Sequence, residues 1–171
     1  MKTTLFLSVS LDGLISDQQG VPSFPSGAWE DWCALVNEAD NVIAGRASCE
    51  QLQGDETSAV LHPTHKVVLS SRDVALEDSS WQHARSPAEA LEILKNVGVE
   101  EAIVGGGRAI AHAFMREGLV DNFIVDLQPV VFGLGTPVFG EELDMTQFEL
   151  IDSRPLNDNA IRLRYQVVRG T

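Results

Sequence analysis

The order of strands and helices is the feature that most constrains the fold of this chain. Up to about residue 118, short apolar segments that indicate strands alternate with segments of helical period, and after Leu119 the helical signals stop. The strands are predicted at 5–11, 41–44, 66–69, 102–104, 123–127, 129–132, 148–151 and 161–168. A helix between two strands is the usual connection of parallel neighbours. The sequence therefore predicts an α/β fold, with a mostly parallel central sheet and antiparallel C-terminal strands at one edge.

Capping signals predict where the helices begin and end. The helices are predicted at 28–39, from 46 to about Gly54, from 87 to Gly98, and from 108 to about Glu117. Ser86 and Glu89 form a capping box with Pro87 at the first helical position, and Gly98 suits the helix end. No linker, internal repeat or low-complexity tract interrupts this pattern, so we predict one domain spanning residues 1–171.

Charge limits the partners that the chain is expected to bind. It has 12 Lys and Arg against 25 Asp and Glu, which gives a net charge of −13 at pH 7. Such a surface repels phosphate backbones and anionic lipids, so general nucleic-acid or membrane binding is not expected. The two cysteines, Cys33 and Cys49, match no zinc-binding spacing, which favours a reducing cytoplasm and predicts no metal site.

Three predicted strands end in a small residue followed by an arginine. These turns are Gly45-Arg46, Ser71-Arg72 and Gly107-Arg108. Because the carboxyl ends of parallel strands meet at one edge of a sheet, and ligands bind there, we expect the three arginines to converge. Three of only 12 basic residues at one edge of an acidic protein predict a cationic pocket for a phosphorylated ligand.

The third turn contains three consecutive glycines, Gly105-Gly106-Gly107, directly before a predicted helix. Glycines at a helix N-terminus let backbone N–H groups approach a pyrophosphate, and the helix dipole favours the negative charge. No Lys-Ser/Thr pair follows, so the turn is not a P-loop, and Ile110 stands where the dinucleotide fingerprint needs Gly or Ala. The turn therefore indicates a phosphate loop of another fold.

Five motifs, taken in their order along the chain, resemble a known family. They are Ser10-Leu11-Asp12-Gly13, Gly45-Arg46 with Glu50, Val104-Gly105-Gly106-Gly107, Gly118-Leu119-Val120-Asp121, and the segment Pro129-Val130-Val131-Phe132-Gly133-Leu134-Gly135. The chain resembles the C-terminal reductase-domain family of the bacterial riboflavin-pathway enzyme, within the dihydrofolate-reductase-like superfamily. The resemblance implies a three-layer α/β/α fold with about eight strands and an NADPH-dependent reductase acting on a pyrimidine- or pteridine-like small molecule. It also implies a homodimer.

The resemblance further implies which residues hold the cofactor. Leu14 and Ile15 correspond to the loop beside the nicotinamide, and the turn Ser70-Ser71-Arg72 resembles the one that receives the adenosine 2′-phosphate. A hydroxyl and a guanidinium suit a phosphate dianion, which favours NADPH over NADH. The cofactor phosphates are assigned to Gly45, Arg46, Gly105, Gly106, Gly107, Arg108 and Ala109.

The proton donor is left open among several candidates. A carboxyl group at the substrate end is a natural proton source, because burial raises the pKa of a carboxyl. Glu30 and Asp31 lie in the first turn of the first helix, and Asp12 follows the first strand. The alternative interpretation of Glu30 and Asp31 is a solvent-facing helix turn that complements the helix dipole, and water is a further candidate donor.

Two departures from the family pattern concern the substrate. Gly105 stands where the family usually has a glutamate that contacts substrate, and the extended segment for a ribosyl phosphate is not visible around residues 46–52. The first-ranked activity is that of 5-amino-6-(5-phosphoribosylamino)uracil reductase, as in riboflavin biosynthesis, and dihydrofolate reduction is second. A catalytically inactive nucleotide-binding protein and a purely structural domain are the alternatives from other classes.

Overall fold

A computed structural model describes residues 1–25, 27–53, 56, 59–76, 79–140, 142–156 and 159–169 of the chain. Four helices lie within these residues: Gly27–Ala39 (α1), Arg46–Leu52 (α2), Pro87–Asn96 (α3) and Arg108–Arg116 (α4). The strands are Lys2–Ser10 (β1), Leu14–Asp17 (β2), Asn41–Gly45 (β3), His65–Leu69 (β4), Trp81–Ala84 (β5), Glu101–Gly105 (β6), Asn122–Gln128 (β7), Gly135–Pro137 (β8), Phe148–Pro155 (β9) and Ile161–Val167 (β10).

Eight of these strands form one sheet in the order β5-β4-β3-β6-β1-β7-β10-β9. All neighbours from β5 to β7 are parallel, and β10 and β9 add antiparallel pairs at the end. The strand–helix alternation stops after α4 because β7, β9 and β10 follow one another without a crossover helix. The predicted fold class is confirmed, including the antiparallel C-terminal strands.

Helices cover both faces of the sheet, so β1 is buried on both sides. Its residues Leu5, Leu7 and Val9 belong to an apolar core with residues of α3 and α4. Phe6 points to the other face, where it joins a second core with residues of α1 and α2. Alternate residues of β1 therefore face two different cores. The polar residues Thr4 and Ser10 are buried as well.

The helix signals of the sequence correspond to contacts in the structure. The Ser86 hydroxyl accepts a hydrogen bond from the Glu89 N–H, and Gly98 has a φ of +85°, as a helix-terminating glycine requires. In a capping box the Glu89 carboxylate would accept from the N–H of Ser86. Here it accepts from the N–H of Arg85, one residue earlier. None of the described helices is long and apolar enough to span a lipid bilayer.

Several sequence predictions differ from the structure. The strand predicted at 129–132 is wrong. Pro129 has no N–H to donate within a sheet, and this segment instead packs over the turn after β1, where the Leu11 N–H donates to the Val130 carbonyl. Short strands β2, β5 and β8 were not predicted, and β2 and β8 pair as a separate two-stranded sheet. The second helix ends at Leu52; Gly54, its predicted end, lies outside the described residues.

A buried ion pair joins the parallel and antiparallel parts of the sheet. Arg162 on β10 lies directly opposite Asp126 on β7, and its Nε and Nη2 each donate to a separate carboxylate oxygen at 2.7 Å. Asp126 is completely buried and Arg162 is 7% exposed. Burial raises the pKa of the Asp126 carboxyl, and the hydrogen bonds and charge of Arg162 oppose that effect. The pair is thus a desolvated, bidentate contact in which each charge depends on the other.

The last strand of the sheet, β9, is exposed along most of its length. Leu150 and Ile151 are both exposed, and Glu149, Asp152 and Arg154 are exposed beside them. In the sheet, β9 pairs with β10 on one side only. Its other side is the free edge of the eight-stranded sheet.

Replacement of Asp126 by Asn is expected to destabilise the protein strongly. Removal of one charge leaves the Arg162 guanidinium buried without its counter-ion, which costs about 3–5 kcal/mol. The measurement is the free energy of unfolding in urea. The matched control is Asp152→Asn on the exposed strand β9, which should change the free energy by less than about 0.5 kcal/mol. Equal losses in the two variants would contradict the role given to the pair.

Candidate functional site

The three arginine-bearing turns lie on one edge of the sheet. Strand β3 pairs in parallel with β4 on one side and with β6 on the other, so their carboxyl ends are neighbours. The turns after these strands are 45–46, 70–72 and 105–108. The turns share one edge, as predicted, but they do not form the predicted pocket of three arginines, because Arg108 is the only one of the three among the described residues that line the cleft at this edge. The ligand predicted for these turns is not tested by this placement. Arg85, which follows β5, joins the same edge and was missed because β5 was missed.

A cleft of about 420 Å³ opens at this edge. One part of its wall is the glycine turn with the first residue of α4, another is α1, and a third comes from β2 and β8. Its volume lies within the usual range for small-molecule sites, and its lining is mainly apolar with a few polar groups, as such sites generally are.

The glycine turn leaves an open approach to the backbone. Gly106 has a φ of +136°, and a Cβ there would lie 2.9 Å from the Ser48 hydroxyl, so this position has no room for a side chain. At Gly107 no atom lies within 4 Å of where a Cβ would be, and Gly107 lines the cleft. The first N–H groups of a helix have no partner within the helix. In α4 the N-cap residue is Gly107, so no N-cap side chain accepts from them either. This arrangement fits a phosphate or pyrophosphate group.

Gly105 differs from the two glycines that follow it. A Cβ on Gly105 would lie 2.8 Å from Cζ2 of Trp32. The indole ring therefore covers the backbone at the end of β6. Gly105 provides room for Trp32, whereas Gly106 and Gly107 border the cleft directly.

The arginines of the three turns have different surroundings. Arg108 lines the cleft. Arg46 pairs with Glu50 at 2.8 Å on α2, and both side chains are about half exposed, so this ion pair contributes little stability. Arg72 is exposed and forms no ion pair with the residues that the structure describes.

Local hydrogen bonds shape the turn after β4. The Ser70 hydroxyl donates to the Arg72 carbonyl and accepts from the Arg72 N–H, which closes a tight turn. The Ser71 carbonyl accepts from Arg85, whose guanidinium also pairs with Asp73 at 2.6 Å. The Ser71 and Arg72 residues remain exposed at the sheet edge.

The residues assigned to the nicotinamide side lie on β2. Ile15 lines the cleft, and the Leu14 N–H donates to the Ser10 hydroxyl. Ser16 and Thr136, which are register partners between β2 and β8, line the same part of the cleft. Ala109 is exposed in the first turn of α4. Of the assigned residues, Ile15, Gly106, Gly107 and Arg108 border the cleft.

Asp12 has a set of contacts that fixes two loops together. Its carboxylate accepts hydrogen bonds from the Ser10 hydroxyl at 2.6 Å, the Phe132 N–H at 3.2 Å and the Gly133 N–H at 2.8 Å. These hydrogen bonds, with that of Ser10 the largest contribution, lower the pKa of Asp12. An ionised acceptor of three hydrogen bonds is a poor proton donor, so this geometry favours a structural role for Asp12.

The two carboxylates of α1 are not among the described residues that line the cleft. Trp29 and Trp32 line it, whereas the described lining contains neither Glu30 nor Asp31. Successive residues of a helix are rotated by about 100° around its axis. Glu30 and Asp31 therefore lie on other sides of α1 than the side that carries Trp29 and Trp32. Glu30 is exposed, and the Asp31 carbonyl accepts a hydrogen bond from Arg162.

Sequence analysis missed the polar groups that line the cleft. They are Ser8, Ser16, Ser48, Gln51 and Thr136. Nothing in their local patterns marks them, because each lies on a strand or helix whose orientation toward the cleft depends on tertiary packing. Among the described residues, no group of three His, Cys, Asp or Glu side chains is arranged to hold a metal ion.

Comparisons with known proteins agree with this fold. The family model described as "RibD C-terminal domain" matches residues 1–161. The uncharacterized protein YwjB of Bacillus subtilis is 28% identical over 176 aligned residues, which cover 96% of this chain and 97% of YwjB.

Two solved structures share the fold at lower identity. RibD of Acinetobacter baumannii is 20% identical with a TM-score of 0.76, and the match covers 98% of this chain and 58% of RibD. A Thermotoga maritima diaminohydroxyphosphoribosylaminopyrimidine deaminase/5-amino-6-(5-phosphoribosylamino)uracil reductase is 14% identical with a TM-score of 0.71, and the match covers 98% of this chain and 56% of that protein.

Replacement of Asp12 by Asn is expected to lower the melting temperature at neutral pH, by an amount that decreases as the pH falls below 3.8. The pKa of Asp12 in the folded protein lies below its ordinary value of 3.8, which the unfolded chain regains. The stabilisation is therefore fully present above pH 3.8 and is lost as the pH falls through the folded pKa. The measurement is the melting temperature of both proteins from about pH 7 to about pH 3. Asp144→Asn, at an exposed carboxylate, is the control; a pH-independent Asp12 effect would contradict the prediction.

Proposed function

This chain belongs to the RibD C-terminal domain family, and we propose that it is an NADPH-dependent reductase of a pyrimidine- or pteridine-like ring. The observation that carries this proposal is the open glycine turn at Gly106 and Gly107, which borders a cleft at the carboxyl edge of the sheet. Open backbone N–H groups at the start of α4 are suited to the cofactor pyrophosphate.

The other turns of the same edge suit the rest of the cofactor. Arg108 is positioned to neutralise charge on the pyrophosphate, and Gly45 and Arg46 lie beside it at the end of β3. Ser71 and Arg72, two strands away, supply a hydroxyl and a guanidinium for the adenosine 2′-phosphate. Ile15, with Leu14 next to it, offers an apolar contact for the nicotinamide at the β2 side of the cleft.

The protein has to hold the reacting groups and exclude water. When bound, NADPH supplies a hydride, which carries two electrons, and is converted to NADP⁺. The substrate carbon of a C=N or C=O bond receives that hydride, the π bond opens, and the nitrogen or oxygen takes one proton. The apolar lining from Ile15, Leu7 and Trp32 limits the water around that carbon.

We propose that water delivers the proton. None of the described residues that line the cleft carries a carboxylate, and Asp12 is held by three donors. The hydroxyl groups of Ser8, Ser16 and Thr136 line the cleft and are able to orient a water molecule beside the reduced bond. Glu30 and Asp31, two of the candidates for this role, are not among the described residues that line the cleft.

The first-ranked activity, reduction of 5-amino-6-(5-phosphoribosylamino)uracil, is supported by the family and by the reductase named in the Thermotoga maritima protein. It is one of the reactions to assay, together with reduction of dihydrofolate, the second-ranked activity. Binding of NADPH without its oxidation by any pyrimidine or pterin would favour the alternative, a nucleotide-binding protein without turnover. The homodimer and the cytoplasmic location also remain proposals.

Replacement of Gly107 by Val is expected to weaken NADPH binding without unfolding the protein. A Cβ at this position would meet no atom within 4 Å, and Gly107 lines the cleft, so we expect the valine side chain to fit there and to block phosphate from the N–H groups of α4. Each charge-assisted hydrogen bond that is lost reduces the affinity roughly 10–100-fold. The measurement is a fluorescence titration with NADPH.

The graded control for this variant is Gly107→Ala. Its smaller methyl group should cause a smaller loss of affinity, and both variants should keep the wild-type melting temperature. Unchanged affinity in Gly107→Val would show that the turn does not hold the cofactor.

Replacement of Arg72 by Ala is expected to weaken binding of NADPH roughly 10–100-fold and to leave NADH nearly unchanged, since only NADPH has the 2′-phosphate. Paired titrations with the two cofactors give the ratio of their dissociation constants. Arg116→Ala, at the far end of α4, removes the same charge and is the matched control. Equal losses for NADPH and NADH in Arg72→Ala would contradict the assignment of this turn.

A further inference from the structure

An aromatic wall forms one side of the cleft. Trp29 and Trp32 are stacked on α1, with ring centroids 5.6 Å apart and an angle of 11° between the planes. Both rings line the cleft, and Trp29 is 40% exposed. A large apolar ring exposed in a concave site offers a flat surface that a planar ligand can cover.

A continuous stack of side chains holds this wall in place. The buried Arg162 guanidinium lies 5.0 Å from the centroid of Phe6, and Phe6 stacks on Trp32 at 6.3 Å with an angle of 10°. Trp32 also stacks with Trp29, and it lies so close to Gly105 that even a methyl group there would clash with it. The plane of the wall is therefore fixed before a ligand arrives, which lowers the entropic cost of binding.

The aromatic part of the cleft contains almost no charge. Among the described residues that line the cleft, only Arg108 has a charged side chain, and it follows the glycine turn at the start of α4. The residues beside the wall are apolar: Pro22, Phe24, Pro25 and Ala28. Arg162, which lies behind Phe6, is already paired with Asp126. A phosphate or carboxylate placed against this wall would lose water without gaining a cation.

We infer that the substrate is an uncharged, planar nitrogen heterocycle without a phosphate or carboxylate arm, and that it stacks on Trp29. This inference rests on the proposed function, because it assigns Arg108 and the glycine turn to the cofactor phosphates and leaves the wall to the substrate. It separates the substrate from phosphoribosyl compounds and from folates, whose glutamate tail is anionic. Trp29 acts as the binding surface, and Trp32 positions it through the stack.

Calorimetric titration of the full chain tests the substrate class. NADP⁺ is present at saturation, so that the ternary complex forms without turnover. The ligands are 5-amino-6-(5-phosphoribosylamino)uracil, the same compound without its phosphate, and 6-methyl-7,8-dihydropterin. We expect the two uncharged compounds to bind at least about tenfold more tightly than the phosphorylated one. Tighter binding of the phosphorylated compound would overturn the inference.

Two variants test the role of the wall. Trp29→Ala should weaken the uncharged ligands about tenfold or more, because stacking on an aromatic ring provides much of their affinity. Trp29→Phe, which keeps an aromatic surface, should lose less, and both variants should keep the wild-type affinity for NADP⁺. Since Trp29 is partly exposed, both variants are expected to fold, which a melting curve checks. Unchanged ligand affinity in Trp29→Ala would overturn the inference.

The two proposals fail in different ways. If the wild type binds NADP⁺ and oxidises NADPH only with the phosphorylated compound, the inference about substrate class is wrong and the proposed function stands. If the wild type does not bind NADP⁺ or NADPH in a separate titration, the proposed function is wrong, and with it the assignment of the wall to a substrate of that reaction.

Discussion

The contact between Arg162 and Asp126 is the interaction on which the arrangement of the cleft depends. It fixes the antiparallel strand β10 beside the parallel strand β7 by two hydrogen bonds inside the sheet. The same guanidinium supports Phe6, which in turn supports the tryptophans of α1. A polar contact in the sheet interior is therefore linked, through Phe6 and Trp32, to the apolar surface at the edge of the sheet.

The topology also places several basic residues of an acidic chain at one edge of the sheet. Parallel strands bring the residues that follow β3, β4, β5 and β6 to one edge, and each of these four turns contains an arginine. Charges beyond about 10 Å are largely screened at physiological salt, so the local composition of the edge matters more than the net charge of −13. Crossover geometry therefore brings four of the 12 Lys and Arg residues to the same edge.

Sequence reasoning was most successful where a local pattern has one structural outcome. Alternating apolar residues in β1, the capping box at Ser86 and the glycines before α4 each correspond to the predicted elements. It failed at 129–132, where a run of apolar residues resembles a strand but Pro129 has no N–H to donate to a neighbouring strand. It also failed at β5, which is only four residues long. The fit of Trp32 over Gly105 could not be predicted, because it depends on side-chain packing between residues far apart in the chain.

The free edge of β9 has a consequence for the behaviour of the protein at high concentration. An uncovered strand with exposed Leu150 and Ile151 is a template onto which another extended chain could add. Glu149, Asp152 and Arg154 interrupt that apolar surface, and Pro155 at the end of the strand has no N–H to offer. These residues act as gatekeepers against fibrillar growth, so their replacement by neutral β-branched residues would favour aggregation while leaving the cleft untouched.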